Sequence, residues 1–358
     1  YQQYLNGLTF DQLLQAVGSF SPMQQQALFG LIQPETFRSA SSADNGALQT
    51  NRLRLRFRAK VAPKVTFDGR LSAYKVFGDN TGVQVFNGQP TAINFDGTST
   101  GVPNSDILRV ERAYFNWTDV ADTDLYVSIG RRPSTEGAPL NFRQDEPRGG
   151  TPLGAVVNYQ FDGITLGYHI NPVSTVRLCY GVGYESGFGN GLEAVNQLDD
   201  AQFLGVNWDI LNTEKTFIQT TIARAMDVTD GFNGLVVLPV DPLTGQSTPG
   251  PGVLRYSPST NLGDVDLASV VLIRHDGPFD WFLSANYSES DPEPVTTPFG
   301  GLFADPFDVP QSEDGSMFWA GMRYKFNDDK SKVGLEFNHG SQYWFNFALA
   351  QDDIIGPK

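Results

Sequence analysis

The stretch Asn51–Val61 constrains this chain more than any other, because charged and apolar residues alternate strictly along it. One set of alternate positions is apolar: Leu53, Leu55, Phe57, Ala59 and Val61. The other set is cationic: Arg52, Arg54, Arg56, Arg58 and Lys60. Side chains alternate between the two faces of a β-strand, so a strand places all five cations on one face, whereas a helix would spread them around its circumference. Such a face needs anions or water beside it, which a wide barrel with an apolar exterior and a wet lumen provides.

Length and composition limit the alternatives. The chain has 358 residues, enough for two ordinary soluble domains or one large barrel. It contains no apolar run of about 18 residues, so no transmembrane helix is predicted, but a membrane barrel hides its apolar residues at every second position. The net charge of −15 argues against non-specific nucleic-acid binding. A single cysteine, Cys179, excludes an intrachain disulfide.

Alternating or apolar segments recur along the chain, and we interpret roughly thirteen of them as strands near the length that a tilted membrane strand needs. Two of them, Thr216–Met226 and Asp264–Arg274, carry apolar residues on both faces. The predicted barrel occupies residues 51–358, with long loops at 78–104, 133–151, 185–200, 227–263 and 289–315. Residues 1–50 are predicted to form a short helical or loop segment at the barrel mouth, with a plug or partner-binding segment as the alternative.

Short turns and long loops alternate as in outer-membrane barrels, except near residues 133–151. The predicted strand Leu153–Phe161 precedes Asp162-Gly163, a strong hairpin signal. Counting this strand leaves an odd number of strands between two long loops. Either one strand is misassigned, or residues 133–151 fold into the lumen. An odd total does not close an ordinary bacterial barrel, so we expect about 14–16 strands in the complete protein, some of them outside this chain.

The predicted lumen faces carry more cations than anions. The candidate pore-lining residues are Arg52, Arg54, Arg56, Arg58, Arg70, Arg112, Arg132, Arg177, Arg323 and Lys325. The acids counted against them are Asp68, Glu185 and Glu336. A basic constriction favours anionic solutes by lowering their electrostatic barrier. The candidate constriction-loop residues are Arg143, Asp145, Glu146 and Arg148. The alternative is that the arginines pair with such loop acids and brace the barrel, with little effect on selectivity.

Signals for catalysis or metal binding are weak. The histidines, His169, His275 and His339, lie far apart in the sequence, and no G-x-S-x-G string or phosphate loop is present. We therefore predict no enzymatic activity and no cofactor. Two acidic groups have the oxygen chemistry that Ca²⁺ binds, with solvated turns as the alternative. They are Asp119, Asp122 and Asp124 in one group and Asp227 and Asp230 in the other.

Several strings resemble those of an uncharacterised porin-like family from the outer membranes of Gram-negative bacteria. They are N-R-L-R-L-R-F-R-A-K-V (51–61), R-V-E-R-A-Y-F-N-W-T-D (109–119), G-R-R-P-S-T-E-G-A-P-L-N-F-R (130–143), R-G-G-T-P (148–152) and A-R-A-M-D-V-T-D-G-F-N-G (223–234). The resemblance covers residues 51 to about 350. It implies a β-barrel, a pore and further strands on both sides of this chain, and it brings no substrate or catalytic residues.

The sequence therefore favours an all-β protein, a transmembrane antiparallel up-and-down β-barrel in the outer membrane of a Gram-negative bacterium. Its expected role is passive diffusion of small hydrophilic solutes, with a preference for anions. The expected partners are outer-membrane lipid, lipopolysaccharide and these solutes, with a homo-oligomer or an envelope partner protein left open. One alternative is a sleeve around a partner such as a multihaem cytochrome in a trans-envelope complex. Another is a secreted β-rich protein that binds polysaccharide.

Overall fold

The computed structural model describes residues 49–76, 108–143, 145–184, 198–229, 234–238, 252–256, 261–295, 301–304, 309–327 and 330–348. These residues form sixteen strands. They are β1 (Thr50–Ala62), β2 (Val65–Val76), β3 (Arg109–Trp117), β4 (Leu125–Arg132), β5 (Val157–Asn158), β6 (Phe161–Asn171), β7 (Ser174–Tyr184), β8 (Ala201–Asn212), β9 (Thr216–Thr229), β10 (Gly234–Leu238), β11 (Gly252–Tyr256), β12 (Asn261–Asp276), β13 (Phe279–Pro292), β14 (Asp314–Phe326), β15 (Ser331–Gly340) and β16 (Phe347–Ala348).

Twelve of these strands form one sheet in which neighbours along the chain pair side by side and antiparallel. Its order is β1-β2-β3-β4-β6-β7-β8-β9-β12-β13-β14-β15. The predicted all-β, up-and-down antiparallel architecture is confirmed. Within the described part of the chain β1 and β15 are the end strands, and no pairing joins them. We call the end of the sheet that carries the short connections, such as that between β1 and β2, the turn end.

Helices contribute little to the part of the chain that the structure describes. Val120–Asp122 and Leu140–Arg143 are short helical turns. No helix among the described residues has the length and apolar character to cross a membrane.

The outer face of the sheet exposes large apolar side chains on strand after strand. They include Leu53, Leu55 and Phe57 on β1, Phe115 and Trp117 on β3, Ile164, Leu166 and Tyr168 on β6, Leu204, Val206 and Trp208 on β8, Leu283 and Tyr287 on β13, Phe318, Met322 and Tyr324 on β14, and Val333, Leu335 and Phe337 on β15. Successive members of each row lie two or four residues apart, so their side chains are on the same side of the strand. The row predicted on β1 therefore faces outward.

The inner face is buried and changes in character across the sheet. From β8 to β14 it carries a hydrophobic core that includes Phe203, Val265, Leu267, Phe282 and Trp319. Phe282 and Trp319 are fully buried and pack edge to face, with ring centroids 5.3 Å apart. The apolar residues on the inner faces of β9 and β12 pack into this core, whereas those on the outer faces are partly or fully exposed.

Residues 133–143 and 145–160 cross the inner face, and we call them the inner segment. Leu140, Leu153 and Val157 of this segment are buried in the hydrophobic core. Phe142 meets Phe282 of β13 with ring centroids 5.3 Å apart. The space that the sheet surrounds is therefore occupied in part by the chain's own connection between β4 and β6.

The predicted strand Leu153–Phe161 is wrong. Residues 154–156 form a turn, only Val157–Asn158 is a strand, and Asp162-Gly163 lies inside β6 rather than in a hairpin turn. The apolar character of this stretch reflects burial on all sides in the inner segment. Without that strand, short turns and long connections alternate regularly, as the first of the two explanations predicted. Residues 133–151 also fold inward, as the second predicted.

The structure describes the other predicted loops only in part. Residues 78–104, most of residues 185–200 and the helical segment predicted in residues 1–50 lie outside the described residues. The predicted loop 227–263 contains a hairpin of β10 and β11. The loop prediction at 289–315 began too early, because β13 continues to Pro292.

Candidate functional site

Two unusual strings of the sequence form the base of the inner segment. The backbone N–H groups of Gly149 and Gly150 donate to the carbonyl of Glu136 at 3.0 and 3.2 Å, and that of Thr151 donates to the carbonyl of Pro133 at 2.9 Å. A side chain at Gly150 would overlap the backbone of Thr135, so this close approach requires glycine. The strings S-T-E-G and R-G-G-T-P therefore hold the segment in a tight fold that presents Glu136.

Glu136 has an unusual backbone conformation and a buried side chain. Its φ of 64° lies in the left-handed region, where residues other than glycine are uncommon. Such a conformation costs on the order of 1–3 kcal/mol and persists where surrounding contacts fix it. One of those contacts is the hydrogen bond that its backbone N–H donates to Asn158 Oδ1 at 2.9 Å.

The Glu136 carboxylate is shared by three arginines of the first strands. It lies 2.6 Å from Arg54 Nη1, 3.0 Å from Arg70 Nη1 and 3.0 Å from Arg112 Nη2. Glu111, which is fully buried, pairs with Arg70 and lies 3.5 Å from Arg54 Nε. We call these five residues the arginine–glutamate cluster. It joins the inner segment to β1 through an ion pair and to β2 and β3 through charge-assisted hydrogen bonds.

Glu111 reaches the interior because β3 contains a bulge. The register with β2 moves from the pair Arg70 and Arg112 to the pair Leu71 and Val110, so Glu111 is an extra residue. Glu111 and Arg112 are consequently both buried on the inner face. A bulge interrupts the period of two. The alternation used to assign interior residues therefore included Arg112 and left out Glu111.

Asp209 of β8 holds the middle of the inner segment. Its two carboxylate oxygens accept hydrogen bonds from Arg148 Nη1 and Nη2, each at 3.1 Å. Arg177 of β7 donates to the same carboxylate at 2.8 Å and to the Tyr126 hydroxyl at 2.8 Å. Asp209 is only 1% exposed. The bidentate hydrogen bonding between Arg148 and Asp209 fixes both the position and the orientation of the Arg148 guanidinium.

The far end of the inner segment meets both end strands of the sheet. Asp145 accepts hydrogen bonds from Arg323 of β14 at 2.8 Å and from Lys332 of β15 at 2.5 Å. The next residue, Glu146, lies 4.0 Å from Arg54 of β1. Adjacent residues therefore contact the first and the last strand, and the sheet curves around the inner segment.

The four predicted constriction-loop residues all lie in the inner segment. Arg143 pairs with Glu336 of β15 at 3.4 Å, and Asp145, Glu146 and Arg148 make the contacts given above. Each reaches a strand of the sheet, so the segment is held along its length.

Most of the predicted pore-lining residues lie on the inner face and are engaged with carboxylates. Arg54, Arg70 and Arg112 belong to the arginine–glutamate cluster, Arg177 binds Asp209, and Arg323 and Lys325 lie 2.9 and 3.1 Å from Asp280. Arg56 and Arg58 share Asp68, at 3.4 and 3.1 Å, yet their side chains stay 61% and 65% exposed. Arg52 is partly buried on the same face, and Arg132 is buried.

Sequence reasoning missed four interior carboxylates. They are Glu111, Glu136, Asp209 and Asp280, all buried. The sequence could have predicted Asp209 as an inner-face residue, because it alternates with the outward apolar residues of β8. Asp280 is harder to assign, because it is the second residue of β13. Glu185, which was counted as a lumen acid, lies outside the described residues. The predicted basic surplus is therefore largely neutralised in the described interior, as the bracing alternative expects.

A polar cavity of about 280 Å³ lies between the turn end of the sheet and the inner segment. Its walls include Arg58, Asp68, Tyr114, Tyr126, Arg132 and His169. Pro133 and Thr151 of the inner segment close one side. We call it the turn-end cavity.

Other polar groups of the sequence have simple roles in the described residues. His169 contacts the Thr175 hydroxyl at 2.9 Å, and His275 contacts Asp280 at 2.7 Å. Asp122 binds Lys64 in a turn. Within the described ranges no three His, Cys, Asp or Glu side chains are grouped to hold a metal, and Asp230 lies outside those ranges. Ca²⁺ binding stays a prediction.

Acid is expected to loosen the inner segment, because two of its carboxylates have lowered pKa values. Burial raises the pKa of Glu136, but Arg70 and its neighbours in the cluster outweigh that effect and hold it below its ordinary value of 4.5. Hydrogen bonding to Lys332 lowers the pKa of Asp145 below 3.8. Because both folded-state pKa values are lowered, the stabilisation is complete above pH 4.5 and is lost as the pH falls through them.

Hydrogen exchange measured by mass spectrometry, corrected for the intrinsic effect of pH, tests this expectation. Protection of residues 145–160 should fall between about pH 5 and pH 2 while that of β12 and β13 persists. The variant Asp145→Asn should lose the part of this pH dependence that Asp145 contributes. Unchanged protection of the inner segment at pH 2 would contradict the assignment.

Comparison with known proteins adds a family and several likenesses. The model of a protein family described as "Protein of unknown function (DUF3373)" matches residues 42–358. No curated protein matches the chain. Among solved structures, the chain is similar to OmpT of Vibrio cholerae, with 14% identity and a TM-score of 0.39 over 84% of this chain and 78% of that chain. Salmonella typhi OmpF in complex with daunomycin is similar with 12% identity and a TM-score of 0.39 over 84% of this chain and 85% of that chain. The outer membrane channel DcaP of Acinetobacter baumannii is similar with 13% identity and a TM-score of 0.37 over 81% of this chain and 78% of that chain.

Proposed function

We propose that this chain, which belongs to the family of proteins of unknown function DUF3373, forms a porin-like channel in the outer membrane of a Gram-negative bacterium. The family membership agrees with the resemblance to an uncharacterised family that the sequence strings carry. The observation that carries the proposal is the polarity of the sheet, with apolar rows outside and charged clusters inside. A soluble β-protein buries its apolar face and exposes its charged face. A lipid-facing barrel does the reverse.

The ends of the apolar rows support a membrane location. Exposed aromatic residues gather near the turn end: Phe115, Trp117, Tyr168, Trp208, Phe279, Tyr324 and Phe326. Aromatic side chains concentrate at the boundary between lipid and water. The outward row of β13 is apolar from Phe279 to Tyr287 and becomes acidic at Glu289 and Asp291. With a rise of about 3.3 Å per residue and a tilt of about 40°, this row spans roughly 20 Å, close to the apolar band of about 25 Å in such barrels.

A charged group on the outer face marks the opposite end of the apolar band. Arg224 of β9 binds Asp264 and Asp266 of β12 at 2.8 and 2.6 Å and Asp291 of β13 at 2.8 Å. Charges at mid-depth on a lipid-facing surface are costly, whereas near the interface they cost little. We therefore place these residues at the level of the lipid headgroups on the side of the long loops.

We place the permeation path beside the inner segment, along β1 to β4. From β8 to β14 the interior is filled by the hydrophobic core. Along β1 to β4 it keeps the exposed cations Arg56 and Arg58 and the turn-end cavity. In this proposal Arg56, Arg58 and Arg132 act on passing solutes, whereas the other predicted pore-lining residues mainly brace the wall. The constriction is the inner segment itself.

The alternatives account for fewer of these observations. A protein partner inside the barrel would have to displace the inner segment, which is held by ion pairs to β1, β8, β14 and β15. A secreted soluble protein would leave the apolar rows facing water. Contiguous exposed patches of that size mark membrane or protein contacts.

Planar bilayer recordings of the detergent-purified protein under a salt gradient test the channel and its lining. The wild type is expected to give steady conductance steps with a reversal potential on the anion side. Reversing two interior charges in Arg56→Glu plus Arg58→Glu should move the reversal potential to the cation side, because these side chains are exposed in the path.

The matched control reverses two exposed turn lysines, Lys215→Glu plus Lys330→Glu, and should shift the reversal potential far less. An equal shift in the control would contradict the role of Arg56 and Arg58. A folded protein that gives no conductance steps would contradict the channel itself.

A further inference from the structure

Arg132 differs from the other interior arginines. It lies at the end of β4 and is 8% exposed, and it lines the turn-end cavity. Among the described residues no carboxylate lies within ion-pair distance of its guanidinium. Its Nε has no hydrogen-bond partner, as is also true of Arg70 and Arg112. Arg70 and Arg112, at similar burial, share Glu136.

A buried guanidinium without a counter-charge requires an explanation. Arginine stays protonated in proteins, so it cannot escape the cost of burial by losing its charge. Removing a charge from water is costly unless another charge or hydrogen bonds replace the water. The planar fork of Arg132 matches the oxygens of a carboxylate or phosphate, which it can bind in two places at once.

The surroundings of Arg132 complete a site for a negative group. The one carboxylate among the lining residues, Asp68, is already bound to both Arg56 and Arg58. The cavity wall therefore carries two cations, Arg58 and Arg132, and one carboxylate, which Arg56 also binds. The Tyr126 hydroxyl accepts a hydrogen bond from Arg177 Nε, so its own proton is left to donate towards the cavity that it lines.

We propose that the turn-end cavity is a binding site for a small oxyanion, a carboxylate or phosphate group, with Arg132 as its main receptor and Tyr126 as a further donor. Its volume of about 280 Å³ is near the lower end of the range of about 300–1,000 Å³ for ligand pockets, which suits a small solute. The site rests on the proposed function in that it lies along the permeation path, where it holds an anion before the inner segment. Binding itself does not require conduction.

Calorimetric titration of the detergent-purified protein with inorganic phosphate and with succinate tests the site. The wild type is expected to bind at least one of the two anions. Arg132→Gln should weaken that binding by about tenfold or more, the effect of losing hydrogen bonds to a charged group. Arg131→Gln is the matched control, because it makes the same charge change on the neighbouring residue, whose side chain points to the opposite face and pairs with Asp162. Its binding should equal that of the wild type.

Thermal unfolding gives a second readout that does not depend on transport. The bound anion should raise the midpoint of the wild type and of Arg131→Gln, and should leave Arg132→Gln almost unchanged. If Arg132→Gln does not fold, Arg132→Lys replaces it, since lysine keeps the charge and loses the fork, and weaker binding is again expected.

Two results would overturn the site: no binding of phosphate or succinate by the wild type, or full binding by the Arg132 variants. Conductance without anion binding would overturn the proposed anion site but not the proposed channel function. Anion binding without conductance would support the anion site and overturn the channel function.

Discussion

Replacing Glu136 with glutamine is expected to lower the free energy of unfolding by about 3–5 kcal/mol, the range for removing one partner of a buried ion pair. Glu136 is 3% exposed and neutralises Arg54, Arg70 and Arg112. Glutamine has nearly the same shape but no charge, which leaves Glu111 alone against three guanidinium groups. The strained backbone of Glu136 would keep its backbone hydrogen bonds but lose the side-chain ion pairs that help to fix it.

Urea unfolding in detergent, followed by the fluorescence of the tryptophans, measures this loss. The matched control is Asp162→Asn, which makes the same chemical change on a carboxylate that pairs with Arg131 but is 63% exposed. Ion pairs of solvent-exposed groups contribute about 0–1 kcal/mol, so the control should lose far less stability than Glu136→Gln. Equal losses in the two variants would show that the arginine–glutamate cluster does not hold the inner segment.

Replacing Phe142 with alanine is expected to have an effect of similar size through packing rather than charge. Phe142 is 7% exposed, packs against Phe282 and lies under the guanidinium of Arg323, 4.3 Å from the ring centroid. Its carbonyl also accepts a hydrogen bond from Arg323 Nη1 at 2.9 Å. Truncating a buried phenylalanine costs about 3–5 kcal/mol. The inner segment should become mobile, and the single-channel conductance should rise because the constriction widens.

Urea unfolding and bilayer recordings of Phe142→Ala check both parts of the expectation. Phe318→Ala is the control, since Phe318 lies on β14 next to the buried Trp319 but points outward and is 45% exposed. It should lose less stability and leave the conductance unchanged. If Phe142→Ala keeps the wild-type conductance while losing stability, the inner segment is not the constriction.

Sequence reasoning succeeded where a single local period governs the structure. The alternation of Asn51–Val61 correctly divided β1 into an apolar outer row and a cationic inner row. The inward fold of residues 133–151 was one of two explanations for the interrupted alternation of turns and loops, and the misassigned strand Leu153–Phe161 by itself accounts for that interruption. The assignment of β1 depends only on the period of a strand, which the sequence contains directly.

Sequence reasoning failed where the structure depends on contacts between distant parts of the chain. The stretch Leu153–Phe161 alternates like a strand, although its burial comes from packing within the inner segment. Glu111 is an interior residue only because β3 contains a bulge, and the string around it carries no signal for one. The pairing of Arg54 with Glu136 could not be inferred either. Glu136 lies in the inner segment, whose fold follows no regular alternation of apolar and polar residues.

The contacts of the inner segment also imply an order of assembly. Glu136 binds Arg112, which is 24 residues away, Arg148 binds Asp209 at a separation of 61, and Asp145 binds Lys332 at a separation of 187. The entropy cost of closing a loop grows with its length, and contacts distant in sequence form late. The segment is therefore fastened first to the early hairpins and last to β15. A partly folded chain therefore holds the inner segment at one end only, and the arrival of the β14–β15 hairpin fastens its other end.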